Sequence, residues 1–125
     1  MAVTYSTAAK NARLDAVATL IDAGTAGKLK IRDSGNVVLA TLTLADPCAS
    51  AAASGVLTFD FDPDISDTSA DATGTAANAI ITDSADTTVI SGLTVGTSGT
   101  DIVLDSVSIT AGQTVTITAA TIAHA

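Results

Sequence analysis

Apolar side chains near the start of the chain recur at helical spacing. The stripe at i, i+3, i+4 and i+7 consists of Leu14, Val17, Ala18 and Ile21. Ser6 or Thr7 can cap the start of a helix, and Gly24 can supply the left-handed residue that follows its end. The sequence therefore predicts one helix with a core-facing stripe. The opposite side, which we expect to face solvent, carries Asn11, Asp15, Thr19 and Asp22.

After residue 27 the hydrophobic period changes from 3.6 to 2. Residues 28–32 read KLKIR, so that Lys28, Lys30 and Arg32 lie on one face of a predicted strand. Further strands are predicted at 37–44, 56–61, 77–82, 87–95, 101–110 (broken near Asp105 and Ser106) and 114–122. Seven to eight short strands are typical of a sandwich or a closed sheet. We predict a mainly-β fold, an antiparallel jelly-roll-like sandwich at 28–125 preceded by a leader and helix at 1–27, in one folding unit.

Two segments share the pattern I-x-D-S-[GA]-[ND] and stand fifty residues apart, IRDSGNV at 31–37 and ITDSADT at 81–87. Asp and Ser favour the start of a turn, and Gly, Asn and Asp tolerate positive φ. Both segments therefore predict tight antiparallel hairpins. The connections at 45–55 and 62–75 are too long for hairpins and predict crossings between sheets.

Small residues dominate the composition. Apolar residues make up 47% of the chain but aromatic residues only 2%, and the sequence contains 25 Ala and 21 Thr. Small side chains bury little apolar area each, so the domain gains modest stability from its own core. We expect association with a partner or with further copies to add to it.

Charge is divided unevenly along the chain. Residues 1–32 hold five basic and two acidic residues (5 − 2 = +3), whereas residues 33–125 hold eleven Asp and no basic residue (−11), which sums to the net charge of −8. Such asymmetry can orient a protein on a partner. A nucleic-acid partner is not expected, because it would require a dense basic surface. No apolar run is long enough for a membrane span, so no membrane partner is expected either.

The sequence offers little for catalysis. Cys48 lies among small residues and is interpreted as a packing residue, while His124 is interpreted as a tail residue, so no nucleophile and base are paired. No glycine-rich segment follows a strand and opens a helix, as a phosphate loop would require. We therefore expect neither an enzyme nor a cofactor.

The acidic stretch FDFDPDISD at 59–67 has two readings. Asp60, Asp62 and Asp64 fit positions 1, 3 and 5 of a helix-loop-helix calcium site, but Ile65 stands where that loop requires Gly. A calcium site of another geometry stays open for the three aspartates. In the other reading, Phe59 and Phe61 point into the core from a half-buried strand and the aspartates point to solvent.

Several motifs of the chain resemble one family. Residues 80–122 contain an I-x-D-S turn at 81–84, VGTSG followed by Asp101 and Ile102 at 95–102, and I-x-A-G-x-x-V at 109–115. NARLDA (11–16), LATLTLADP (39–47), SGVLTFD (54–60) and SADATGTA (69–76) agree with them. The chain resembles, over most of its length, a family of small virion structural proteins of tailed phages and prophages.

The resemblance implies a capsid decoration, or cement, protein on the surface of the virion, synthesised in the bacterial host cytoplasm. It would bind the outer surface of the major capsid protein lattice and bridge neighbouring subunits, in contact with neighbouring copies of itself, a trimer being one arrangement. The alternative is a tail or head-fibre accessory or adhesion module of the same virion. The residues expected to bind the partner are Tyr5, Lys10, Arg13, Lys28, Lys30 and Arg32. An ordinary solvated face is the other interpretation of these charges.

Overall fold

The structure is a computed structural model that describes residues 4–22, 26–44, 49, 51–59 and 65–123. The helix is α1 (Thr7–Ile21), and the strands are β1 (Lys28–Arg32), β2 (Val38–Thr43), β3 (Val56–Thr58), β4 (Ile65–Asp67), β5 (Gly74–Thr75), β6 (Asn78–Thr82), β7 (Thr88–Gly96), β8 (Ile102–Leu104), β9 (Ser108–Ile109) and β10 (Val115–Ala123). The mainly-β fold with one N-terminal helix is confirmed.

Helix α1 begins where the sequence predicts. The Ser6 side chain accepts a hydrogen bond from the Ala9 N–H at 3.1 Å, which satisfies one of the unpaired donors of the first turn. Leu14 and Ile21 are buried, and the other two residues of the apolar stripe pack against the core. The predicted terminating residue, Gly24, lies outside the described residues.

The polar side of α1 does not simply face solvent, which corrects the expectation for Asn11 and Asp15. The Asn11 side-chain oxygen accepts a hydrogen bond from the Gly55 N–H at 2.9 Å, and the Asp15 carboxylate accepts one from the Ala52 N–H at 2.8 Å. The chain turns at residues 53–56, and these two N–H groups find their acceptors on the helix. Both faces of α1 are therefore attached to the body.

The strands form one eight-stranded sheet and one two-stranded sheet. Neighbouring strands of the large sheet follow the order β2-β1-β6-β7-β8-β10-β3, with β4 also paired to β10, and β5 pairs with β9. The large sheet curls, so that the end of β4 and the segment after it lie beside the edge strand β2. There the Thr41 N–H donates to the Asp67 carboxylate at 3.0 Å, and the Asp71 N–H donates to the Leu39 carbonyl at 2.7 Å.

The large sheet is mixed rather than antiparallel throughout, since β7 and β8 run parallel, with Val95 opposite Ile102. The loop between them folds back onto β7. The Asp101 carboxylate accepts hydrogen bonds from the N–H and the hydroxyl of Thr94, both at 3.1 Å. This contact holds the start of β8 beside the end of β7, and the two strands run in the same direction. The jelly-roll-like stacking of two sheets stays a prediction.

The predicted connection at 62–75 is wrong in part, because β4 and β5 lie within it. Both strands are short and lack clear alternation in the sequence, and partners distant along the chain hold them. In contrast, the predicted break near Asp105 and Ser106 is confirmed, since β8 ends at Leu104 and β9 begins at Ser108.

The two predicted tight hairpins are confirmed and share one geometry. The Asp33 carboxylate accepts hydrogen bonds from the N–H groups two and four residues later, at 2.8 and 3.0 Å. The Asp83 carboxylate does the same, at 2.9 Å each. Asn36 and Asp86 occupy the equivalent left-handed positions, with φ of 64° and 66°. The sequence echo is thus a repeated turn.

The repeat extends into the strands. Strands β1 and β6 pair antiparallel, with Lys28 opposite Thr82, Lys30 opposite Ile80, and Arg32 opposite Asn78. Adding fifty to each β1 number and subtracting fifty from each β6 number exchanges the two strands and preserves this register. In each hairpin the pairing also skips one residue next to the turn. The skipped residue belongs to the second strand, β2 or β7. A local twofold axis therefore passes between Lys30 and Ile80.

Small aliphatic side chains fill the core, as the composition predicts. The largest fully buried side chains are Ile21, Leu29, Ile31, Leu39, Leu42, Leu57, Ile81, Ile102, Leu104, Ile109, Ile117 and Val115. Phe59 is also buried, at 4% exposure, which confirms its inward orientation. Phe61 lies outside the described residues.

Candidate partner-binding surface

The residues expected to bind a partner separate into two groups. We call Lys28, Lys30 and Arg32 the β1 stripe and Tyr5, Lys10 and Arg13 the leader patch. Strand β1 alternates between half-buried and buried positions, so the three cations of the β1 stripe share one face of the sheet, as predicted. Leu29 and Ile31 point to the other face and are fully buried.

Two cations of the β1 stripe share one carboxylate. One Asp86 oxygen lies 3.0 Å from the Lys28 Nζ and 3.2 Å from the Lys30 Nζ. Hydrogen bonds from Lys28 and then Lys30, together with their charge, lower the pKa of the Asp86 carboxyl below its ordinary value of 3.8. The Asp86 side chain is 52% exposed, so solvent screens this contact and its contribution to stability is small.

Arg32 is held by a neutral partner. Its Nε donates a hydrogen bond to the Asn78 side-chain oxygen at 2.9 Å, and the Asn78 amide donates to the Asp33 carbonyl at 3.2 Å. Asn78 is related to Lys28 by the local twofold axis, and it lies near Asn36 as Lys28 lies near Asp86. The two hairpins thus place similar contacts on this face, one charged and one neutral.

The leader patch lies at the N-terminal end of α1, with Tyr5 just before the N-cap Ser6 and the two cations in the first turns. The Arg13 guanidinium stacks over the Tyr5 ring, 4.4 Å from its centroid, and Tyr5 is 43% exposed. Lys10 and Arg13 are three residues apart and are neighbours on the helix surface. The first turn contains no acidic residue, so the positive end of the helix dipole adds to the two cations.

The body holds the leader patch in place. Leu14 and Ile21 anchor one side of α1 in the core, and Asn11 and Asp15 attach the helix to the turn at 53–56. The Lys10 stem also lies against Gly55, where an added Cβ would sit 3.4 Å from the Lys10 Cδ. The part of the helix that carries Lys10 and Arg13 is therefore held in place by the rest of the domain.

Ion pairs within the described part of the chain distinguish the β1 stripe from the leader patch. Both ion pairs found there join Asp86 to the β1 stripe, and neither involves the leader patch. The β1 stripe is thus partly neutralised within the molecule. Asp86 and Asn78 also belong to this surface, although no charge or hydrophobic pattern in the sequence points to them. The repeated turn, which places residue 86 where residue 36 stands, is the sequence signal from which they could be predicted.

The calcium hypothesis concerns Asp60, Asp62 and Asp64, which lie outside the described residues. Residues 4–22, 26–44, 49, 51–59 and 65–123 contain no group of three or more His, Cys, Asp or Glu side chains able to hold a metal ion. Cys48 and His124 also lie outside these ranges. The helix that the structure describes is too short and too polar to cross a membrane.

Comparison of the chain with protein-family models, curated proteins and solved structures found no match.

Proposed function

We propose that this protein is a non-enzymatic virion structural protein that decorates the outer surface of a phage capsid and bridges neighbouring coat subunits. The proposal is supported by the resemblance of its motifs to small virion proteins. The observation that carries it furthest is the exposed, stacked pair of Tyr5 and Arg13 on a helix whose other sides are attached to the body.

The leader patch has the chemistry of a protein-binding anchor. Tyr and Arg are enriched among the few residues that dominate the binding energy of protein interfaces. Stacking of Arg13 on Tyr5 orders both side chains before binding, which reduces the entropy lost on association. Lys10, Arg13 and the helix dipole together attract carboxylates. The capsid surface that it fits is therefore acidic.

The acidic body is expected to face away from the capsid surface. Residues 33–125 carry a net charge of −11, so an acidic coat surface repels them while it attracts Lys10 and Arg13 of the leader patch. With the leader patch on the capsid, the body would face outward and towards neighbouring copies. The cations of the leader patch and the acidic residues of the body thus favour one orientation of the protein on the lattice.

The alternative is a tail or head-fibre adhesion module. Tyr5 provides one exposed aromatic ring of the kind that stacks on sugars, but Arg13 covers a face of that ring. Copy number separates the two roles. A decoration protein is present in numbers comparable to the coat protein, whereas a tail or fibre component is far scarcer, and gel densitometry of purified particles measures this ratio.

The capsid role is tested by binding to undecorated capsids in low salt. Arg13→Gln and Tyr5→Ala should each weaken binding about tenfold, because each removes one member of the stacked pair. Thr19→Glu is the matched control for Arg13→Gln. It also lowers the net charge by one, and it lies about two and a half turns along α1 from Lys10, on the opposite side of the helix. Equal occupancy for all four proteins would contradict the docking role of the leader patch.

A further inference from the structure

The face of the sheet that carries the β1 stripe is positive in an otherwise acidic protein. The stripe contributes three positive charges, and Asp86 and Asp71 contribute one negative charge each, which leaves +1 (3 − 2). The residues paired beside the stripe are uncharged: Thr41 and Thr43 on β2, and Asn78, Ile80 and Thr82 on β6. Asp71 borders this face, where it accepts a hydrogen bond from the Thr41 hydroxyl at 3.3 Å.

The contact with Asp86 indicates which chemical group can be accommodated on this face. A single carboxylate oxygen fits between the ammonium groups of Lys28 and Lys30, at 3.0 and 3.2 Å. The lysine side chains are 33% and 22% exposed, so further carboxylates can reach them from solvent. The chemistry of the face therefore suits a carboxylate-bearing partner.

The spacing of the cations specifies that partner further. Alternate residues of a strand repeat at about 6.6 Å, so an extended segment with carboxylates at alternate positions can place one opposite each cation. In the sequence, Asp60, Asp62 and Asp64 of FDFDPDISD stand at alternate positions. These aspartates lie outside the described residues, and their spacing is a property of the sequence.

We propose that the β1 stripe binds the Asp60, Asp62 and Asp64 segment of a second copy of this chain. The contact is head-to-tail, because each copy contributes its basic stripe to one neighbour and its acidic segment to another. Contacts of this type close into rings or continue as filaments. The inference rests on the proposed function in so far as it specifies how neighbouring copies meet in a decoration layer, but it concerns a surface separate from the leader patch.

Asp86 competes with this contact, since its carboxylate already pairs with two of the three cations. Asn36 occupies the equivalent turn position with the same positive φ, which shows that Asn fits this turn. Asp86→Asn should therefore leave the hairpin intact and strengthen self-association. The net charge of this face would rise from +1 to +2.

Ionic strength affects the contact in two ways. Each copy carries a net charge of −8, and this long-range repulsion is screened at about 0.1 M salt, where the Debye length is about 10 Å. Ion pairs in direct contact survive to higher salt and weaken near 1 M, where the Debye length is about 3 Å. Self-association should consequently be strongest at intermediate salt.

Reciprocal charge reversal tests the proposal by sedimentation velocity on the isolated protein. The stripe-reversed variant changes Lys28, Lys30 and Arg32 to Asp, and the segment-reversed variant changes Asp60, Asp62 and Asp64 to Lys. Each variant alone should lose self-association by at least about tenfold, and an equimolar mixture should recover it, because opposite charges face each other again. Circular dichroism checks folding, and a stripe neutralised with Gln replaces the reversed stripe if the latter does not fold. The mixture should then stop at a heterodimer, because only the stripe of the segment-reversed copy and the acidic segment of the other copy stay complementary.

The outcomes separate this contact from capsid docking. Lys10→Glu combined with Arg13→Glu should leave self-association unchanged while lowering capsid occupancy. A wild-type chain that stays monomeric at about 0.1 M salt overturns the contact, as does a mixture of variants that fails to associate. Loss of capsid binding by the leader variants, with no effect of stripe reversal on association, would support the proposed function and refute this inference.

Discussion

Replacing Gly27 with Ala tests how closely the end of α1 packs on the sheet. A Cβ at Gly27 would lie 2.5 Å from the Ile21 Cγ2 and 2.7 Å from the Thr82 carbonyl oxygen. The first atom belongs to a fully buried side chain, and the second is backbone of β6, so neither can move away without shifting the helix or the sheet. Overpacking of this kind costs about 1–3 kcal/mol, and a backbone contact places Gly27→Ala near 3 kcal/mol.

Urea unfolding followed by circular dichroism measures this cost. A loss of about 3 kcal/mol should lower the urea midpoint by about 1–2 M and the melting temperature by about 10–15 °C. Gly35→Ala is the matched control, because its added Cβ would meet only the Asp33 carboxylate, at an ordinary contact distance of 3.4 Å. The control should change stability by no more than about 0.5 kcal/mol. Equal midpoints for Gly27→Ala and the wild type would refute the packing described at this position.

Three further predictions concern aspartates in turns and on the helix. Asp86 has a lowered pKa, so its stabilising contact is present above pH 3.8 and is lost as the pH falls through the lowered value; Asp86→Asn should remove this acid-dependent part of a plot of urea midpoint against pH. Asp33→Ala and Asp83→Ala each remove two hydrogen bonds of the repeated turn, and each should lower the free energy of unfolding in urea by a similar amount, about 1–3 kcal/mol. Clearly unequal losses for the two variants would contradict the equivalence of the two turns. Asp15→Ala leaves the Ala52 N–H without its acceptor and should cost about 1–2 kcal/mol, and should raise amide hydrogen exchange at that N–H; unchanged exchange there would contradict the attachment of α1.

Local patterns in the sequence predicted the helix and most of the strands. The i, i+3, i+4 spacing from Leu14 to Ile21 located the buried stripe of α1, and the KLKIR alternation placed the three cations of β1 on one face. The repeated I-x-D-S pattern predicted two hairpins of one type. These features depend on residues close together in the sequence, whose geometry follows from helical and strand periodicity.

The same patterns could not predict what distant residues do to one another. β4 and β5 each have two or three residues, and they are strands because β10 and β9 pair with them. The parallel pairing of β7 with β8 likewise depends on a loop closed by Asp101 and Thr94. In such short segments the partner strand, not the local propensity, determines the structure.

For the candidate surface, the sequence by itself determined which residues carry charge and that the cations of β1 share a face. Only the tertiary structure decided which of those charges are already paired. The antiparallel register of β1 with β6 brings the turn after β6 over Lys28 and Lys30, which gives both lysines Asp86 as a partner. Arg13, in contrast, stacks on Tyr5 and takes part in no ion pair of the described residues. Asp86 lies more than fifty residues from either lysine in the sequence, so strand pairing alone brings these charges together.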